Sequence, residues 1–144
     1  MSVSITRRFA LVLFAATVLA AALPAPAAAQ DRTVNDGVFT AEQATRGRAA
    51  YRAQCAACHA TNLFGGEMAP GLKGSGFVGG WSGATLWELA DFTQATMPQD
   101  APGRLSVQEL NDVIAFILEE NDYPAGTDEL AIDLANQGDP IRIE

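Results

Sequence analysis

The sequence predicts an all-α domain of three or more short helices joined by long loops. Two capping signatures, Thr40-x-x-Gln43 and Ser106-x-x-Glu109, each open a segment whose apolar residues recur at helical spacing. Between them lies a glycine-rich stretch without a sustained period, and no βαβ pattern is visible.

Residues 1–29 read as a secretory signal, which would place the mature chain in the periplasm. Arg7 and Arg8 supply the positive start, Phe9 to Leu23 an uncharged apolar stretch, and Ala27-Ala28-Ala29 a cleavage site just before Gln30. The apolar stretch has 15 residues, short of the ~20 that a spanning helix needs. An uncleaved anchor is the competing reading. The first cysteine, Cys55, is far from the signal, which excludes a lipid-modified cysteine at a new N-terminus.

Residues 30–39 read as a polar, flexible lead-in. Thr40 then caps a helix expected to run to about Gln54, with Ala44, Gly47, Ala50 and Tyr51 on one buried face. Gly47 in mid-helix costs roughly 1 kcal/mol relative to alanine, and such a glycine often permits the close approach of another helix. Residues 60–82 hold seven glycines and read as one long loop; loops of that length in a compact domain are usually functional. Thr85 to Thr96 is a second helix, with Leu86, Leu89, Ala90 and Thr93 on one face. The third follows Ser106, with Leu105 and Leu110 spaced as a hydrophobic staple. Leu110, Val113, Ile114, Ile117 and Leu118 form its apolar stripe, and Phe116 is expected near Gly47 and Tyr51. Asn121 to Pro124 end it. Residues 40–123 are therefore taken as the domain, and 124–144 as a tail packed on its surface.

The signal takes two of nine basic residues and none of seventeen acids, leaving seven against seventeen. Such a surface repels nucleic acid and anionic lipid. A partner that docks by charge should be basic; the acidity serves solubility equally well. No stable membrane insertion is expected once the signal is removed.

The chemistry sits at Cys55-Ala56-Ala57-Cys58-His59, the C-x-x-C-H pattern of c-type haem attachment. Two thiols at this spacing match the two vinyl groups on one porphyrin edge, and the next residue brings an imidazole under the iron. Three rivals are weaker. A thioredoxin-like motif would sit beside a βαβ unit. A structural zinc needs four ligands, whereas the chain offers two cysteines and one histidine. A disulfide across so small a loop would contribute little. One motif and no internal repeat mean one haem.

His59 is the sole histidine, so the distal ligand is a methionine, another donor or nothing. Of the two methionines beyond the signal, Met97 is preferred. It precedes Pro98, which pushes it out of helical geometry, and begins a loop stiffened by Pro98 and Pro102. Met68 is nine residues from His59; that length spans ~30 Å extended, so geometry leaves it open, but it lies in the Gly65-Gly66 stretch, where a fixed position is harder to hold. A carbonyl near Pro70 is placed to accept from the other nitrogen of His59 and fix its tautomer. Leu72, Phe77 and Trp81 are candidate pocket walls, or ordinary core.

The chain resembles monohaem class I cytochromes c. The matched residues are Gly47-x-x-x-Tyr51-x-x-x-Cys55-Ala56-Ala57-Cys58-His59, Pro70-x-Leu72, Met97-Pro98 and the helix from Asp112 through Phe116. Together they cover residues 41–121. The resemblance implies a cytochrome c fold, long loops wrapped around one covalent haem c with iron bound by His59 and Met97, crossing first and last helices, and an exposed haem edge. The stretch Asn121-x-x-Pro124-Ala125-Gly126 with Glu129-Leu130 is similar to bacterial cytochromes that accept electrons from quinoprotein dehydrogenases. With one lysine, Lys73, the chain departs from the lysine-rich mitochondrial type.

The function expected is a periplasmic single-electron carrier, not an enzyme, serving a redox donor and acceptor (dehydrogenase, oxidase or reductase). The alternatives are a cytochrome subunit permanently bound to a dehydrogenase, with the 124–144 tail as interface, and a gas- or peroxide-binding haem protein with an open distal site.

Overall fold

Thr40 opens the first helix as expected: its hydroxyl accepts from the Gln43 amide at 3.1 Å, and α1 runs Ala41–Gln54. The computed structural model describes residues 32–137 and 141–144; the signal expected over 1–29 lies outside them. Four more helices follow: α2 (Ala56–His59), α3 (Ser75–Trp81), α4 (Leu86–Thr96) and α5 (Val107–Glu120). Among the described residues no strand forms, and the domain is all-α.

The crossing of α1 and α5 sets the frame. A side-chain carbon on Gly47 would fall on the Asp112 carbonyl and lie 2.9 Å from Phe116 Cβ, so only hydrogen fits there. One turn on, Tyr51 and Phe116 pack with ring centroids 5.3 Å apart, and the Arg48 guanidinium lies over the Phe116 ring at 4.8 Å. The Leu110, Val113, Ile114, Ile117 and Leu118 stripe is buried throughout. Across the same seam Arg46 grips the Asp112 carboxylate with two nitrogens, both at 3.1 Å, and reaches Glu129 at 2.8 Å. Those two carboxylates hold its guanidinium further above its ordinary pKa.

Three expectations need correcting. The lead-in is built into the structure from Arg32 onward: Thr33 caps a short 3-10 turn (Val34–Asp36), and Val34, Val38 and Phe39 are core residues. The tail is not a surface wrapping, and no boundary falls at 124. Leu130, Ile132, Ile141 and Ile143 enter the core. The Gln43 amide, rather than closing its capping box, exchanges two hydrogen bonds with the Leu130 backbone at 2.8 and 2.7 Å. Asn111 does the same for Ile132. Residues 141–143 then lie between residues 32–34 and 84–86: Val34 and Arg142 amides bond to Arg142 and Arg32 carbonyls, and Leu86 and Ile143 amides to Ile141 and Ala84 carbonyls, all at 2.8–2.9 Å. Third, the 60–82 loop contains α3. Phe77, Val78 and Trp81, spaced one and four apart, pack against the core, and the Asn121 side chain accepts from the Gly74 amide at its start (2.9 Å).

Capping boxes at Thr85/Glu88 and Ser106/Glu109 close reciprocally. The Thr85 amide and hydroxyl hold the Glu88 carboxyl below its ordinary value of 4.5, and the Ser106 hydroxyl and amide do so for Glu109. The folded state therefore binds fewer protons than the unfolded chain in this range. The stabilisation is full above about pH 5 and is lost as pH falls through the depressed folded values. The melting temperature of the holoprotein should fall below about pH 4.5, and the double variant Glu88→Gln, Glu109→Gln should show a shallower slope, because glutamine keeps the box without the titration. Equal slopes would refute the assignment.

Candidate haem site

The attachment motif grows directly out of α1. The Cys55 amide still donates to the Tyr51 carbonyl (2.8 Å), and the Cys58 and His59 amides return to the Cys55 carbonyl at 3.1 and 3.0 Å. Cys55, Cys58 and His59 thus share one turn. The two thiols are free. Cys58 is exposed; Cys55 is half-buried, and burial pushes its thiol up to about 11, with the positive charge of Arg104 opposing.

After His59 the chain reverses sharply. Ala60 takes φ 62, ψ 156, a region nearly reserved for glycine that costs on the order of 1–3 kcal/mol. The buried Tyr51 hydroxyl holds the reversal, donating to the Ala60 carbonyl at 2.6 Å and to that of His59 at 3.3 Å. The loop then folds back on itself: the Gly65 amide donates to His59, Gly66 to Ala69, and Leu72 to Leu63 (3.1, 2.9 and 2.7 Å). Gly65 is at φ +72, and any Cβ there would lie 2.5 Å from the Pro70 carbonyl carbon and the Gly71 nitrogen. Glycine therefore lets the loop close.

Closure aims one atom. The Pro70 carbonyl stands 2.8 Å from His59 Nδ1. A carbonyl only accepts, so Nδ1 carries the proton and donates, leaving the Nε2 lone pair free for a metal. His59 itself is only 8% exposed.

The methionines are placed very differently. Met68 is 76% exposed. Met97 is half-buried at the end of α4, in extended backbone (ψ 155), with its amide donating to Thr93 at 2.8 Å. The Gly103 amide closes the following loop onto the Met97 carbonyl (3.2 Å), and the Ala101 amide bonds to Pro98 (2.9 Å). Leu72 and Trp81 are half-buried against the core, Trp81 edge-on to Phe92 at 5.7 Å. Phe77 is fully inside.

Among the described residues no group of three or more His, Cys, Asp and Glu side chains is arranged to hold a metal ion. The donors present suit haem: two unpaired thiols at the vinyl spacing and, on the same turn, an imidazole whose tautomer is set for coordination. Two roles here go beyond the sequence reading. Tyr51 is expected on the buried face and in the matched motif, but the hold of its hydroxyl on the turn after His59 is not. Gln94, on α4, donates to the loop that carries Met97, and no sequence pattern announces it.

A family model described as cytochrome c oxidase, cbb3-type, subunit III, matches residues 42–117. No curated protein and no solved structure matches the chain.

Proposed function

The chain belongs to the cytochrome c family whose model is described as cytochrome c oxidase, cbb3-type, subunit III, and from that membership we propose that it is a periplasmic single-electron carrier with His59 and Met97 as axial ligands. A domain of this family carries one covalently attached haem c and transfers electrons, so it works between redox partners.

The observation that carries the proposal is the hydrogen bond from His59 Nδ1 to the Pro70 carbonyl. It fixes the imidazole on the turn that bears both thiols and leaves Nε2 as the proximal donor. Cys55 and Cys58 would anchor the group covalently, Leu72 would wall its pocket, and Met97 would offer its sulfur from a separately braced loop. Haem held by these residues would supply a one-electron ferrous/ferric couple, whose potential methionine/histidine ligation would raise. With His59 and Met97 both committed to the iron, no open position would remain for a substrate, which favours a carrier over an enzyme.

The tail supports the carrier over a permanent dehydrogenase subunit. Its Leu130, Ile132, Ile141 and Ile143 are spent inside this chain, leaving them no part in an external interface. Among the described residues no helix is long and apolar enough to cross a membrane. The redox partners are a dehydrogenase, oxidase or reductase, and a quinoprotein dehydrogenase is the donor that the Asn121–Leu130 stretch favours. An absorbance-monitored redox titration of the mature protein tests the reading. A single one-electron wave, with a far-red sulfur-to-iron charge-transfer band in the oxidised form, is expected. Fast carbon monoxide binding by the reduced protein would overturn it in favour of a gas-binding role, and a colourless protein would overturn it altogether.

A further inference from the structure

Gln94 lies one turn before Met97 on α4. Its side-chain amide nitrogen donates to two carbonyls across the loop, Gly103 at 3.3 Å and Leu105 at 3.1 Å. Gly103 is the residue whose amide closes the loop on the Met97 carbonyl, and it sits at φ +78, where glycine is at ease. Leu105 is buried and immediately precedes the Ser106 cap of α5. One amide group therefore fastens the far end of the loop to the helix that delivers its near end.

The orientation of that amide is costly. With Nε2 committed to both carbonyls, Gln94 Oε1 is buried and has no hydrogen-bond partner among the described residues. A buried acceptor without a partner is rare, because it forfeits its water and regains nothing. A shorter or apolar side chain would avoid that cost but could not span both carbonyls. The other bonds of the loop are internal to it: the Ala101, Gly103 and Arg104 amides return to Pro98, Met97 and Ala101, and the Arg104–Asp100 ion pair is a surface contact of 3.2 Å, a class that contributes little.

We infer that Gln94 is a positioning residue for Met97, clamping the 97–105 loop closed so that the thioether is held in place toward the iron. The inference rests on the reading of Met97 as distal ligand. The closed loop is one state of an equilibrium; an external ligand enters only when the loop opens, so its apparent affinity scales with the open fraction. Removing two hydrogen bonds raises that fraction roughly tenfold or more.

The test compares the holoprotein with Gln94→Leu, Gln94→Glu and Met97→Ala. Carbon monoxide binding to the ferrous form should rise about tenfold in both Gln94 variants while the oxidised form keeps its far-red band at neutral pH. Met97→Ala should lose the band. Wild-type carbon monoxide affinity in both Gln94 variants would overturn the clamp. Retention of the band by Met97→Ala would instead overturn the ligand reading on which it stands. A measurement on the wild-type protein guards against variants that fail to mature. The Gln94 side-chain amide protons should exchange with solvent more slowly than those of Gln99, which is exposed on the same loop; equal exchange would also overturn the proposal.

Discussion

Met97→Ala should lower the midpoint potential by on the order of 0.1–0.3 V, a fraction of the ~0.8 V that axial ligands span, abolish the far-red band and open the ferrous iron to carbon monoxide. Met68→Ala should do none of these. The difference rests on how each thioether is held. A sulfur–iron bond is weak, so it survives only if little conformational entropy is lost in making it. Met97 has its amide tied to Thr93 and its carbonyl to Gly103, and it is half-buried before the buried Pro98. Its backbone is thus ordered before any bond to iron. Met68 is 76% exposed, and its side chain would have to leave solvent to reach the iron. Redox titration and carbon monoxide difference spectra of both variants decide the matter. If Met68→Ala produces the loss and Met97→Ala does not, the ligand assignment is reversed.

How far the site could be read in advance follows from the range of the forces involved. The turn carrying Cys55, Cys58 and His59 is local in sequence, and so is the pull of Pro98 on Met97; both are legible because the residues that determine them are neighbours. The partner of His59 was legible one step further, since only a short loop separates it from Pro70. The crossing of Gly47 with Asp112 and Phe116 spans most of the domain, yet a mid-helix glycine one turn from a tyrosine marks it. The Gln94 clamp carries no such mark: an amide bonded to backbone carbonyls is indifferent to which residues own them. The pairing of residues 141–143 with 32–34 and 83–86 was invisible for the same reason. Backbone hydrogen bonds hold it, each segment is too short to show a period, and Ile141 and Ile143 alone do not announce a core. Helix α3 was hidden by composition. Gly76, Gly79 and Gly80 lower its intrinsic propensity, and it forms because Phe77, Val78 and Trp81 find the core and Asn121 secures its start.

Substituting Gly47 should have the largest effect on the fold, and the sign is decided by competition between two terms. Alanine in place of a mid-helix glycine gains roughly 1 kcal/mol of helix propensity. At Gly47 that gain is overwhelmed, because the new carbon would fall on the Asp112 carbonyl and beside Phe116 Cβ. Backbone, not a flexible side-chain end, would have to move, which places the strain at or above the usual 1–3 kcal/mol of an overpacked core. Valine adds two more methyl groups to the same spot. Gly79 supplies the control: it is also helical, but a Cβ there meets nothing within 4 Å. Gly79→Ala should therefore raise the melting temperature by a few degrees, roughly the 4–8 °C that accompanies each kcal/mol in a domain of this size. Gly47→Ala should lower it by about 10 °C, and Gly47→Val should yield little haem-loaded protein. Parting α1 from α5 also displaces Tyr51 from Phe116, and Tyr51 holds the reversal at Ala60 that follows His59. Gly47→Ala should thus weaken retention of the far-red band on heating in step with the loss of helicity. Thermal scans at both signals would test this, and a Gly47→Ala variant as stable as wild type would show that the two helices do not need their close approach.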